Sequence, residues 1–445
     1  MAMPRYFPSL WWLVPLWALL APASLTAQEP PADTSAVLDL ADLLRALEAG
    51  NPELTAHWIE TEALGTRRRQ VTAWPDPMAM VAYQPYPMLT AHGAQRSQWR
   101  IEQAVPYPGT RRVLGDLADL EASIAADETR TLALDLGLDL KRAYFTLYRT
   151  QQLLPLIDDF TVRLRAFEGT ARALYEAGRG SQQAILQAQL ERASLNTRRY
   201  TLEHEALAAR ETLRRLSNSP AAPQGTAQPN PPPPLPPRDS LLVLARALRP
   251  EVGAIATAER RSLKAVELAR RTALPELGVV VTYFDIAAAA DPPGAMGRDA
   301  LELGVTAVLP IQRGRIRARL QEARLGSSRV RAQAEAVTIA IETHLDEALH
   351  EIEQHNNQLA LLRNALLPQA EATRQAALTG YSSGSASFLD LLEAERASFG
   401  LRVTYEETFV DYLLAYAVLE RVLGTVSLET RAAVIRRTPL SGIIP

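Results

Sequence analysis

The sequence has no cysteine among its 445 residues. Disulfides, thiolate metal sites and cysteine nucleophiles are thereby excluded, as is anchoring through a lipidated N-terminal cysteine. An excess of one charge is missing too. The 47 Lys and Arg nearly balance 50 Asp and Glu, a formal net charge of −3, so nothing points to nucleic acid as a partner. Beyond residue 27 no run approaches the ~20 apolar residues of a transmembrane helix. No phosphate-binding glycine loop occurs, so any energy input must come from another protein.

The N-terminus reads as an export signal over residues 1–27. Arg5 gives a thin positive region, Leu10 to Leu20 is apolar, and Ala21-Pro-Ala23 or Leu25-Thr-Ala27 offers small residues for cleavage. Prolines at 8, 15 and 22 argue against a retained helical anchor. An exported protein that crosses no bilayer with helices is expected.

What the chain does contain is a duplication. Tyr175-Glu-Ala-Gly178-Arg-Gly-Ser181 returns 206 residues later as Tyr381-Ser-Ser-Gly384-Ser-Ala-Ser387. The match runs on, aligning Ile185-Leu-Gln-Ala188-Gln189 with Leu391-Leu-Glu-Ala394-Glu395, and upstream the segments 73–83 and 273–283 correspond. Two copies exclude a solenoid and favour a pseudo-symmetric unit. The expected organisation is a first repeat over 28–217, a Pro-rich connector over 218–240, a second repeat over 241–424 and a tail over 425–445. The connector is expected to be extended on the surface or disordered.

Apolar spacing predicts helices over 37–72, 111–176, 181–217, 239–272, 315–380 and 386–424. The two long ones would each span roughly 100 Å, and two short ones end to end match one long one. Pro155 and Pro368 should kink the long helices. The run Leu132 to Leu140 alternates like a strand, but it lacks β-branched residues and bracketing turns, so it is assigned to helix. Strands are expected at Met78 to Tyr86, Trp99 to Val105, Leu277 to Ile286 and Leu301 to Val308, paired as hairpins through loops at 87–94 and 287–298. The fold class is mainly α with a small β part. Four strands cannot face lipid with open edges, so closure has to come from oligomerisation. Two chains bring eight strands, a barrel filled by its own side chains, whereas three bring twelve, the smallest total that leaves an aqueous lumen, set on a matching twelve-helix barrel.

The order helix, hairpin, long helix, Tyr-x-x-Gly-x-x-Ser, helix, given twice, resembles the TolC-type outer-membrane efflux proteins. Pro106-Tyr-Pro108-Gly109-Thr-Arg-Arg is similar to the heavy-metal branch of that family. The resemblance implies a homotrimer in the outer membrane that extends into the periplasm. It also implies a periplasmic adaptor and an inner-membrane pump of RND or ABC type as partners, and no cofactor. The motif turns (Tyr175, Gly178, Ser181 and Tyr381, Gly384, Ser387) would form the periplasmic tip, and Asp390 and Glu393 would ring the narrowest opening. The family's latch is not carried over: Tyr381 is kept, but Ala184 and Ala386 stand at its other two positions. The substrate is not legible in a passive duct. A periplasmic coiled-coil protein without a channel is the alternative.

Three local patterns are weighed and set aside. Gly380-Tyr-Ser382-Ser-Gly384 matches a nucleophile elbow as a string, but a long helix, not a strand, is expected before it. Glu347-Ala-Leu-His350 is half of a di-iron pair without its second copy. Met78, Met80 and Met88 could suggest soft-metal transport, but are expected to face lipid or fill space. Neither a catalytic residue nor a metal site is expected.

Overall fold

The computed structural model describes residues 37–289, 293 and 296–426. The expected signal segment and most of the tail lie outside them. The elements run in order β1 (Val37–Leu38), α1 (Leu40–Gly50), α2 (Pro52–Val71), β2 (Met78–Thr90), β3 (Gly93–Val105), α3 (Thr110–Glu176), α4 (Gln182–Leu216), β4 (Thr226–Ala227), α5 (Arg238–Leu248), α6 (Pro250–Arg271), β5 (Glu276–Ala287) and β6 (Ala300–Val308). Helix α7 (Arg313–Leu361), a π turn (Leu362–Leu366), α8 (Leu367–Ser383) and α9 (Phe388–Val422) complete the chain.

The helix blocks lie where apolar spacing puts them, with two corrections. The first and fourth are each split by an X-Pro step. Asn51 and Arg249 adopt extended backbone, with φ/ψ of −67°/123° and −69°/121°, and Pro52 and Pro250 then open α2 and α6. A residue before proline is pushed out of the helical region, while proline itself suits the first helical position. Asn51 also caps α2, accepting from the Glu53 and Leu54 amides at 3.0 and 3.1 Å. Pro155 lies inside an unbroken α3, whereas Pro368 follows the π turn. Leu134, Leu136 and Leu140 of the alternating run are buried in that helix, the latter two in one cluster with Leu43, Leu44 and Leu213.

The four long strands form one antiparallel sheet in the order β2-β3-β5-β6, so β2 and β6 are its edges. The first hairpin is longer than expected: the chain turns at 91–92, and Pro85 and Pro87 are carried within β2. An edge strand tolerates proline, and the register of this pair shifts between Tyr83 and Met88.

Register sorts the sheet by side, since directly opposed antiparallel residues point the same way. Val81, Trp99, Tyr283 and Leu301 lie in one row across the sheet, and Ala79, Ile101, Val281 and Leu303 in another. That face is apolar and exposed. The opposite face holds the charged and amide groups, Gln98, Arg100, Glu102, Thr282, Glu302 and Thr306, set among Val280 and Phe284, and Glu102 accepts from Arg100 at 2.8 Å and Thr306 at 2.9 Å. Met78 and Met80 oppose Glu102 and Arg100, so these two methionines lie on the polar face and not on the apolar one.

The segment between the repeats is extended and packed on α3. Strand β4 pairs in parallel with β1, Gln151 bonds both Gly225 O and the Ala227 amide, and the Tyr144 hydroxyl bridges Leu38 O and the Gln228 amide at 2.9 Å each. Among the described residues no helix is long and apolar enough to cross a membrane.

Candidate functional site

The duplicated motif is two helix-turn-helix ends built by identical capping. In the first, the Gly178 amide donates to Tyr175 O at 2.9 Å and Arg179 to Leu174 O at 2.8 Å; in the second, Gly384 donates to Tyr381 O at 3.2 Å and Ser385 to Gly380 O at 2.8 Å. These are paired Schellman closures, which need a left-handed residue after the helix. Gly178 and Gly384 supply it at φ of 69° and 77°. Three residues on, Ser181 and Ser387 cap the next helix, accepting from Ala184 at 3.3 Å and Asp390 at 3.2 Å. Tyr-x-x-Gly-x-x-Ser is therefore a helix stop and a helix start in seven residues.

Both turns belong to one end of the molecule. Ala184, Ala188, Phe388, Leu392 and Ala171 share a single apolar cluster, with Tyr381 packed against it. Tyr381 meets Phe388 edge-on, with centroids 6.0 Å apart, whereas Tyr175 is exposed. An added Cβ at either glycine meets nothing within 4 Å, so only the backbone resists substitution. Gly384→Val should cost about 1–2 kcal/mol at the turn. Faster amide exchange over 380–390 with unchanged exchange in 130–150 checks it.

Asp390 and Glu393 project from the first turns of α9 and are exposed. Asp390 is already engaged, completing a capping box in which its carboxylate accepts from the Ser387 amide and hydroxyl at 2.8 Å each. Those two bonds hold its carboxyl below the usual aspartate range.

A charged cluster deeper in the same end was not singled out by the sequence. Glu395 is fully buried and accepts from Arg163 of α3 at 3.0 Å and Arg374 of α8 at 3.1 Å. Arg374 also grips Glu371 at 2.6 Å, and Arg402 of α9 reaches Glu371 at 3.2 Å. Arg374 lowers the Glu371 pKa below its ordinary value, with burial opposing and Arg402 assisting. The first repeat holds the counterpart: Glu168 of α3 accepts from Gln189 at 2.9 Å and Arg192 at 2.8 Å on α4. At the 206-residue offset Arg374 and Glu395 align with Glu168 and Gln189, so each hairpin carries a polar tie at the same place. Alignment of 168 with 374 was the signal available in the sequence.

Ser382 sits in the last turn of α8 and donates to Thr379 O at 2.8 Å, a helical setting unlike a strand-borne elbow. Among the described residues, no group of three or more His, Asp or Glu could hold a metal.

Residues 241–425 match the family described as outer membrane efflux protein. Several solved structures share the fold along most of the chain. A membrane protein from Pseudomonas aeruginosa is 19% identical, with 88% of this chain and 92% of that one covered and a TM-score of 0.75. The outer membrane protein VceC of Vibrio cholerae is 16% identical, with 87% and 96% covered and a TM-score of 0.71. The CmeC outer membrane channel of Campylobacter jejuni is 14% identical, with 89% and 88% covered and a TM-score of 0.72. No curated protein matches in sequence.

Proposed function

Because the chain carries an outer membrane efflux protein domain over 241–425 and the fold of outer-membrane channels along most of its length, we propose that it is the exit duct of a tripartite efflux or secretion system. In this reading it sits in the outer membrane and extends into the periplasm. The observation that carries it is the sorting of the sheet into an apolar, exposed face and a polar one. A sheet on a water-soluble coiled coil has no use for exposed Leu301, Leu303 and Val305, while a barrel wall needs lipid on that side and water on the other. This favours a channel over the periplasmic coiled-coil alternative.

The edges of β2 and β6 are free within the protomer, and strands in lipid must pair them. Three copies joined β6 to β2 close twelve strands around a water-filled lumen, with the polar face inward. α3, at 67 residues, reaches about 100 Å from that barrel. The turns at 177–181 and 383–387 then form the distal tip and meet a periplasmic adaptor, which links the duct to an inner-membrane pump. Asp390 and Glu393 from three chains line its opening. The chain performs no chemistry in this scheme; it conducts what the pump delivers.

Planar-bilayer conductance of the detergent-extracted protein tests the reading, together with its mass in detergent. Stepwise channels from a heat-sensitive trimer are expected. A stable folded monomer, or a trimer that inserts in no bilayer, overturns it.

A further inference from the structure

Where the helices meet the sheet, arginine gathers in excess of acid. α2 ends with Arg67, Arg68 and Arg69, and α6 with Arg270 and Arg271; α3 begins with Arg111 and Arg112, and α7 with Arg313, Arg315, Arg317 and Arg319. The ends lie at one level, since both hairpins leave and return on the same side of the sheet. Arg111 Nε reaches Thr72 O at 2.8 Å across the first, and Arg271 Nη1 reaches Pro108 O at 2.8 Å between the two. Glu121, Asp119 and Glu267 neutralise Arg67, Arg68 and Arg271. Among the described residues, Arg69, Arg112, Arg270 and the four arginines of α7 form no ion pair, and all seven are exposed.

The fold does not require this charge. Positive residues in a helix's first turn oppose its dipole. Neither α3 nor α7 has an acidic first-turn residue or a capping side chain, whereas α1, α2, α4 and α9 are capped by Asp39, Asn51, Ser181 and Ser387. Directly above the arginines the apolar surface begins. Leu309 and Ile311 are 62% and 79% exposed, and the Arg111 guanidinium lies 4.4 Å over exposed Trp74. Apolar surface, an aromatic ring and unpaired cations in succession is the profile of a bilayer boundary.

We propose that this arginine belt binds the phosphate groups of anionic phospholipid in the leaflet bordering the helical end of the sheet. It rests on the sheet being the membrane-spanning part. Guanidinium forks match phosphate oxygens pairwise, and a phosphate whose charge no headgroup ammonium offsets attracts them more strongly, which favours an anionic leaflet over a zwitterionic one. The inward stripe of α7 runs through Ile316, Leu320 and Val330. At about 100° per residue, Arg313 and Arg317 flank that stripe on one side, and Arg315 and Arg319 on the other. One pair thus meets lipid whichever flank is outward.

The test is native mass spectrometry of the full protein in detergent with added phosphatidylglycerol or phosphatidylethanolamine. It compares the wild type with R313Q/R315Q/R317Q/R319Q and with the two pair variants R313Q/R317Q and R315Q/R319Q. A basic residue beside an anionic surface gives on the order of a fivefold gain in partition. The wild type should retain phosphatidylglycerol preferentially, the quadruple variant should lose that preference by about tenfold or more, and one pair should carry most of the loss. Thermal stability of the quadruple variant should be unchanged or higher, as the dipole requires. Equal retention of both lipids by the wild type, or an unchanged preference in the quadruple variant, overturns the proposal. Unchanged lipid preference with altered reversal potentials would place all four arginines on the lumen. Bilayer insertion, followed separately by conductance, reports on the membrane reading and is not needed for the lipid assay.

Discussion

Glu395→Ala should loosen the end of the molecule that carries the two motif turns about as much as truncating one of its buried leucines. The carboxylate is fully buried and is shared by Arg163 and Arg374, whose side chains are 25% and 17% exposed. Removing it leaves two guanidiniums without their shared carboxylate, and Arg163 lies 5.8 Å from the centroid of the Phe160 ring, which stacks on Phe399 at 4.9 Å. Breaking a buried pair by deleting one partner costs about 3–5 kcal/mol. The low end, ~3 kcal/mol, is expected here because each arginine keeps a second carboxylate, Asp159 for Arg163 and Glu371 for Arg374. Glu395→Gln keeps the volume and an acceptor and should cost about 1–2 kcal/mol. Denaturant unfolding by helical circular dichroism, with amide exchange over 388–403, reads both. A wild-type midpoint for Glu395→Ala would mean that neither arginine depends on this carboxylate.

The same residue shows where the sequence stops being informative. Helical spacing sets it on the apolar stripe of Phe388, Leu391, Leu392 and Phe399, away from Glu393 and Arg396, but only the packing of α3 and α8 on α9 shows which arginines meet it there. Local rules served better wherever a structure is local. Gly178, Gly384, Ser181 and Ser387 could be read as stops and starts because capping involves neighbours within a few residues. Asn51-Pro52 and Arg249-Pro250 were equally local signals, but continuous apolar spacing on either side masked the breaks. Pro87 misled in the other direction. The expected strand already held Pro85 but stopped before Pro87, because edge position, which makes proline tolerable, is a property of the whole sheet. The side assignment of Met78 and Met80 likewise needed the register against β3.

In the proposed duct, neutralising the two α9 carboxylates with Asp390→Asn and Glu393→Gln should weaken cation preference and relieve block by multivalent cations. Three chains would bring six carboxylates to one constriction, and a narrow low-dielectric throat focuses their field. Apparent affinity for a trivalent blocker should fall by on the order of tenfold or more. Asparagine is the better substitution at 390. Asp390 closes the capping box on Ser387, and alanine would remove an acceptor the α9 start depends on, whereas asparagine retains one. The cap also fixes the direction of the pH response. Its hydrogen bonds favour the ionised form, so the carboxyl stays charged below the usual aspartate range. Crowding of three copies pushes the other way, toward protonation at higher pH. With the cap as the nearer influence, cation preference should persist through mildly acidic solution and fade only once Asp390 protonates. Ser387→Ala removes the hydroxyl bond and should move that fade to higher pH while leaving neutral-pH selectivity intact. Reversal potentials in a salt gradient, taken across a pH series, measure each arm. Wild-type selectivity and block in the neutralised double variant would place the constriction at other residues.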